Sequence, residues 1–179
     1  MNIPNGTWTI DPAHSEVEFT VRHLMISKVR GYFGVFEGTA ITTDHLEKTH
    51  IKATVNTTTV TTNDENRDNH LRSADFFDVE NYPQMTFVST TVEQTEKEDV
   101  VLLRGDLTIR DVTRPVTFVV EIGGVNTDAQ GRTKAAAEAT TTINRTDYGL
   151  TWNATLETGG VLVSEEVKIT VSAQAVLEQ

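Results

Sequence analysis

Apolar and polar side chains alternate along most of the chain, and this period of two predicts antiparallel strands. In HSEVEFTVRHL, residues 14–24, the apolar side chains fall mainly on one face and the charged or Thr side chains on the other. The same alternation recurs over residues 51–57, 116–122 and 167–175. Each of these strands is therefore expected to bury one face and to expose the other.

The number and spacing of these stretches predict an all-β protein. About eight strands are separated by turn signals at the spacing typical of a sandwich or a barrel. Glycines at positions 31, 34 and 38 interrupt an aromatic-rich strand, as the corners of a barrel require. The meander-like turns favour an up-and-down antiparallel barrel, because closure removes exposed strand edges. The pattern alone does not separate a barrel from a sandwich, and residues 1–179 are expected to form a single domain.

One stretch, residues 62–89, breaks the alternation. Its first half is polar and lacks Gly and Pro, which predicts a short helix over about 64–73, after the fourth-strand region. Thr62 or Asn63 is positioned to cap the first free N–H groups of this helix. Pro83 prevents the helix from continuing. The second half gathers apolar side chains that predict a lid over the strands, namely Phe76, Phe77, Val79, Tyr82 and Met85.

Composition narrows the possible functions. The net charge of -11 argues against nucleic-acid binding and against electrostatic docking on anionic lipid, because this surface repels phosphates. The chain has no cysteine, which excludes disulfides and thiolate metal sites. It shows no leader peptide and no apolar run long enough to span a bilayer, so we expect a cytoplasmic protein.

Six motifs in order resemble the YceI-like family of polyisoprenoid-binding proteins. They are HSEVEFTVRHL, the glycines of GYFGVFEG, RDNHLRSADFFDVENYP with TFVS, GDLTIRDVTRPV, INRTDYGLTWN and TGGVLVSEEVKITV. The resemblance runs from about Trp8 to the C-terminus. It implies an eight-stranded, lipocalin-like antiparallel barrel with a helix packed over it and a long apolar tunnel. The sequence departs from the family pattern in two respects. It lacks the secretion signal that many members carry, and it has the small residues Ala135, Ala136 and Ala137 on a lining strand.

The resemblance implies that the protein binds, carries or stores a long-chain isoprenoid lipid and is not an enzyme. The ligand would be a polyprenyl chain, its diphosphate or an isoprenoid quinone, and no other cofactor is expected. From the strand pattern alone, inward side chains that fill a packed core are favoured over an open tunnel, and the resemblance reverses this expectation. The expected lining residues are Phe19, Val21, His23, Phe33, Phe36, Val55, Leu71, Phe76, Phe87, Leu103, Leu107, Phe118, Val120, Tyr148 and Trp152.

Cationic and neutral donors near the lid are candidates for contacting a lipid head group. They are Arg67, His70, Arg72 and Arg145. A quinone needs one donor, whereas a diphosphate favours two cations together. The alternative is that Arg67 pairs with Asp64 or Asp68 and that Arg145 pairs with Asp147.

Other functions and partners have weaker support in the sequence. The five histidines have no metal-like spacing, so no metal site is expected. An enzyme acting on an apolar substrate would use His23, Arg145 or Asp147. An interaction protein would recruit its partner through a strand edge or the lid, with Phe76 at the contact. A homodimer through the outer barrel face is compatible with the sequence.

Overall fold

The computed structural model describes residues 3–179, which form one sheet with a short helix beside it. The strands are β1 (Gly6–Ile10), β2 (Glu16–His23), β3 (Ser27–Phe33), β4 (Phe36–Thr42), β5 (His50–Asn56), β6 (Val60–Thr61), β7 (Gln84–Gln94), β8 (Val100–Ile109), β9 (Val112–Thr127), β10 (Thr133–Asn144) and β11 (Glu166–Leu177). The helix α1 is Glu65–Arg72, and short 3-10 turns are Pro12–His14, Leu46–Lys48, Thr57–Thr59 and Arg145–Tyr148.

The sheet closes on itself through its last and first strands. Strands β1, β4, β5, β7, β8, β9, β10 and β11 follow one another around the ring, and β11 pairs back to β1. Strand β2 also pairs with β11, so β1 and β2 act as two halves of one wall strand, interrupted by Pro12–His14. In the same way β3 and β4 form the next wall strand. The prediction of an eight-stranded antiparallel barrel is confirmed, and the sandwich alternative is wrong.

Two glycines let aromatic rings lie flat against the wall of the barrel. A Cβ atom on Gly31 would overlap the ring of Phe19, which faces it across β2 and β3. A Cβ atom on Gly105 would likewise overlap the ring of Phe87. Any side chain at either position would displace a ring from the interior. At Gly31 the neighbour is thus an aromatic side chain, which the sequence did not predict.

Helix α1 lies within the range that the sequence predicted, but its cap is different. The side chain of Asp64 accepts a hydrogen bond from the Arg67 N–H at 3.0 Å. Thr62 instead donates its hydroxyl to Asp68 at 2.5 Å, and Asn63 adopts a positive φ of 61°. Asp64 caps the helix because it is the last extended residue before the first turn.

The segment after α1 buries both of its phenylalanines. The chain turns repeatedly between residues 73 and 81, so the alternation that would separate adjacent side chains in a strand does not apply. Phe77 packs on Phe33, with ring centroids 5.6 Å apart, and Phe76 packs on Trp152 at 5.5 Å.

Within residues 3–179 no helix is long and apolar enough to cross a bilayer.

Candidate functional site

The barrel interior contains two apolar cavities that meet near its middle. The first, of about 490 Å³, lies beneath α1 and the lid, and the second, of about 310 Å³, lies between β4, β5 and β10. Four apolar side chains line both cavities: Val17, Met85, Ile109 and Ile169. The inward side chains therefore do not fill the barrel, and the two cavities adjoin at these four side chains; together they are called the passage.

The second cavity is lined by seven of the residues expected from the strand pattern. They are Phe36, Val55, Phe87, Leu103, Leu107, Phe118 and Val120. On the opposite wall the cavity is lined by alanines, namely Ala137, Ala139, Ala173 and Ala175. Ala137 lies directly opposite Ala173 in the register of β10 and β11. These short side chains provide the width, because two facing alanines leave room that larger residues would occupy.

Most of this alanine wall was not predicted from the sequence. Alternation along the last strand puts Ala173 and Ala175 on its apolar face, so the signal was present. Of the three alanines singled out on β10, Ala137 lines the cavity, whereas Ala136 is exposed. Trp8 also lines the second cavity, and its indole N–H donates to Thr42 Oγ1 at 3.0 Å.

The first cavity is lined by the other predicted residues, with two exceptions. Those present are Phe19, Val21, His23, Phe33, Arg67, His70, Leu71, Phe76, Arg145 and Trp152. Tyr148 and Arg72 line neither cavity. The lid and the irregular loop after Tyr148 thus bring aromatic and cationic side chains to the same end of the passage.

Three rings cluster in the first cavity and form its aromatic end, defined as His70, Phe76 and Trp152. The centroid of the His70 ring lies 4.6 Å from that of Trp152 and 5.1 Å from that of Phe76, and both contacts are edge to face. His70 Nε2 lies 2.8 Å from an oxygen of Asp75, which fixes the orientation of the imidazole ring. Because Phe76 is buried in this cluster, it is not available as the contact for a recruited partner.

Arg145 is the most deeply buried cation of the site, with 5% of its surface exposed. Its guanidinium donates to the main-chain carbonyls of Leu150 at 2.7 Å, Ser164 at 2.8 Å and Trp152 at 2.9 Å. The predicted pair with Asp147 is wrong, because these carbonyls occupy the donors. Burial lowers the pKa of Arg145, and its charge lies 5.9 Å from the centre of the Phe76 ring.

Arg67 and Arg72 also bind main-chain or hydroxyl oxygens. Arg67 donates to the Thr62 hydroxyl at 2.7 Å and to the Thr62 carbonyl at 2.8 Å, so its expected ion pair with Asp64 or Asp68 is wrong. Arg72 donates to the carbonyls of Thr58 and Val60, both at 2.9 Å. These bonds turn Arg72 away from the cavity and tie α1 to the wall, which corrects its assignment to the head-group site.

Tyr148 belongs to the packed core and not to the cavity lining. It is buried, and burial raises the pKa of its phenol to about 12. Its hydroxyl has no hydrogen-bond partner among residues 3–179. The 3-10 turn Arg145–Tyr148 points this ring into the core cluster, and the prediction that Tyr148 lines the tunnel is corrected.

The described residues contain no group of three or more His, Asp or Glu side chains arranged to hold a metal ion. Of the three residues named for an enzyme, His23 and Arg145 line the first cavity, whereas Asp147 does not. Few hydrogen-bond donors line the two cavities, and the rest of the lining surface is almost entirely hydrocarbon.

The fold and the passage can be compared with known proteins. A family profile for the YceI-like domain matches residues 8–175, nearly the whole chain. The chain belongs to the YceI-like family. This YceI-like protein is 39% identical over 170 residues to the UPF0312 protein SAS2572 of Staphylococcus aureus strain MSSA476, covering 93% of this chain and 95% of the relative. The family assignment made from the six motifs is confirmed.

Solved structures share the barrel at low sequence identity. BcnA of Burkholderia cenocepacia matches with a TM-score of 0.80 and 20% identity, covering 92% of this chain and 98% of its own. A polyisoprenoid binding domain from Saccharophagus degradans matches with a TM-score of 0.74 and 13% identity, covering 96% and 98%. At these identities the likeness establishes the common fold of the YceI-like protein.

Proposed function

We propose that this YceI-like protein binds and carries a long-chain isoprenoid lipid inside the barrel and that it is not an enzyme. The observation that carries the proposal is the pair of apolar cavities inside the barrel, which adjoin at Val17, Met85, Ile109 and Ile169. Transfer of hydrocarbon from water into such a passage is favourable by about 0.8 kcal/mol per CH2 group. Ordering the lipid chain on binding costs several kcal/mol, so a long lipid chain is needed for tight binding.

The shape of the passage supports an isoprenoid over a compact ligand. A branched chain can extend from the first cavity, past the four shared side chains, to the alanine wall of the second. The Saccharophagus degradans domain of the same fold is described as polyisoprenoid binding, which supports this ligand class. We further propose that the protein is cytoplasmic.

The polar groups of the first cavity favour an orientation with the head group beneath the lid. Arg145, Arg67 and the aromatic end are all at this end, whereas the second cavity is lined almost entirely by carbon. Four of the five N–H donors of Arg145 contact carbonyls, including Val163 at 3.3 Å. A planar quinone ring that stacks in the aromatic end and accepts one hydrogen bond therefore fits better than a diphosphate.

Two measurements test the proposal. Native mass spectrometry of gently purified protein is expected to show a bound long-chain lipid that organic extraction releases. Titration of the stripped protein with a fluorescent isoprenoid is expected to saturate at one chain per barrel. Failure to recover any lipid, together with no binding of the probe, would overturn the carrier function.

The enzyme alternative predicts a different result. An enzyme would convert an isoprenoid substrate over time, and replacement of His23 would abolish turnover while leaving affinity unchanged. We expect the recovered ligand to remain chemically unchanged on prolonged incubation, measured by chromatography of the extract.

A further inference from the structure

The hairpin between β2 and β3 ends in exposed apolar side chains. Leu24, Met25 and Ile26 connect the strands, and their surfaces are 38%, 61% and 81% exposed. Val161, 40% exposed, belongs to the neighbouring segment, in which a Cβ atom on Gly160 would overlap the sulfur of Met25 and the Leu162 carbonyl accepts from the Leu24 N–H. These four side chains, Leu24, Met25, Ile26 and Val161, form one exposed apolar surface, here named the tip patch.

Local folding does not explain why these residues occupy the turn. The Ile26 N–H donates to the His23 carbonyl at 3.2 Å, and φ is 54° at Leu24 and 63° at Met25. A hairpin turn with positive φ at both central positions favours Asn and Gly, because other side chains crowd the backbone there. Leu and Met are therefore poor residues for this turn, and the hairpin would form more readily with polar ones. Their presence indicates a contact made by the tip patch outside the molecule.

The tip patch adjoins the rim of the first cavity. The Leu24 N–H donates to the carbonyl of Leu162 at 2.8 Å, and His23 pairs with Val163 through a β-bridge. His23, Leu162 and Val163 all line the first cavity. The exposed turn therefore adjoins residues that line the first cavity, so a lipid that left a bilayer at this turn would be next to the barrel interior.

The outer face of the same hairpin is cationic. Arg22 and Lys28 lie directly opposite each other in the register of β2 and β3, and both are exposed. Neither has an ion-pair partner within residues 3–179, whereas Arg30 lies 3.3 Å from Glu18. Like charges that face each other across strands are unfavourable, so an anionic partner would relieve this pair.

The overall charge of the protein does not cancel this local feature. In physiological salt, charges more than about 8 Å apart are largely screened from each other. A surface in contact with the hairpin therefore experiences Arg22 and Lys28 more strongly than the carboxylates on the opposite side of the barrel. Apolar side chains at a tip with cations behind them fit the boundary between acyl chains and anionic head groups.

We propose that the β2–β3 hairpin docks this protein on an anionic lipid bilayer. The tip patch enters the head-group and acyl boundary, Arg22 and Lys28 contact lipid phosphates, and the rim of the first cavity faces the membrane. Exchange of lipid between bilayer and barrel rests on the proposed carrier function. Docking itself does not, so the two proposals can fail separately.

Flotation with vesicles tests the docking. Wild-type protein is expected to float with vesicles of equal parts phosphatidylglycerol and phosphatidylcholine, and to do so less as salt rises. The pair Met25→Ser and Ile26→Ser should weaken binding about tenfold by removing the inserted side chains. The pair Arg22→Gln and Lys28→Gln should weaken it by about fivefold per cation and flatten the salt dependence.

Matched controls separate the hairpin from general surface effects. Ile41→Ser changes an apolar residue that is 47% exposed but lines neither cavity, so vesicle binding should persist. Lys48→Gln with Lys97→Gln removes the same charge from two other exposed positions and should also leave binding near wild type. Equal losses in the control and hairpin variants would overturn the proposal.

A second readout separates docking from the carrier function. In vesicle-free buffer, the serine variants of Met25 and Ile26 should take up the fluorescent isoprenoid as wild type does, which also reports that they fold. Intact probe uptake with lost flotation supports the docking surface. Wild-type protein that fails to float with these vesicles, or serine variants that float normally, would overturn docking and leave the carrier function standing. A dimer that these substitutions dissociate would overturn docking too, by assigning the patch to a second copy.

Discussion

Ala137 on β10 and Ala173 on β11 lie directly opposite each other, and both line the second cavity. Their methyl groups are the only side-chain volume that this part of the wall contributes to the passage. If a lipid tail occupies the second cavity, the length of chain that the protein accepts depends on these two small residues.

Filling the second cavity should shorten the preferred ligand. Ala173→Phe places a ring in a space of about 310 Å³, so long isoprenoids should bind at least tenfold more weakly while short ones, held in the first cavity, bind almost normally. Titration with probes of two chain lengths measures the difference. Ala136→Phe is the matched control, because Ala136 is the exposed neighbour of Ala137 and lines neither cavity. Equal affinity of Ala173→Phe for both probes would contradict a tail in this cavity.

Removing the Arg145 guanidinium should destabilise the protein. Arg145→Met leaves the carbonyls of Leu150, Trp152 and Ser164 without their donor, which we expect to cost more than about 2 kcal/mol. Urea unfolding followed by tryptophan fluorescence measures this free energy. Arg104→Gln is the control, since Arg104 forms an exposed pair with Glu93 at 2.9 Å and should change stability by less than about 1 kcal/mol. An Arg145→Met variant as stable as wild type would show that the carbonyls find other donors.

The Tyr148 hydroxyl should be dispensable for folding. It is buried without a hydrogen-bond partner among the described residues, so Tyr148→Phe removes a polar group that gains nothing from the fold. The free energy of unfolding is expected to stay equal or to rise by about 1 kcal/mol. Tyr148→Ala should instead lower it by about 3 kcal/mol or more, because the ring fills the core. A destabilised phenylalanine variant would reveal an unrecognised partner of the hydroxyl.

Asp128 should contribute to the decrease of the unfolding free energy at acid pH. The backbone N–H of Arg132 at 2.9 Å, together with the Arg132 guanidinium, lowers the pKa of Asp128 to about 2. A carboxyl whose pKa is lower in the folded state stabilises the fold above its ordinary pKa, and this contribution is lost as pH falls toward about 2. Asp128→Asn should therefore flatten the pH dependence of the unfolding free energy below about pH 4. Asp99→Asn, at another exposed loop position, should leave that dependence unchanged.

The sequence allowed the barrel wall to be predicted because alternation reports which face of a strand is buried. Phe87, Leu107 and Phe118 were assigned to the interior on this basis, and all three line the second cavity. Whether the interior was packed or open could not be read in this way. The width of the passage depends on the cross-strand register that sets Ala137 against Ala173, which is not encoded by either strand alone.

Side chains outside regular strands were harder to assign. Arg145 binds the carbonyl of Ser164, nineteen residues further along the chain, and no local spacing indicates such a partner. Tyr148 was expected to line the tunnel and Arg72 to contact the head group, but neither lines a cavity. Their actual directions follow from a 3-10 turn and from a helix end that binds Thr58.

The pairing of β1 with β11 has a consequence for synthesis on the ribosome. Trp8 lies opposite Leu177, so residues 169 positions apart must meet before the ring is complete. A nascent chain that lacks β11 leaves β10 and β1 as open edges, which are sites for mispairing with other chains. A barrel that lacks its last strand is open on one side, so if the protein carries a lipid, loading follows translation of β11.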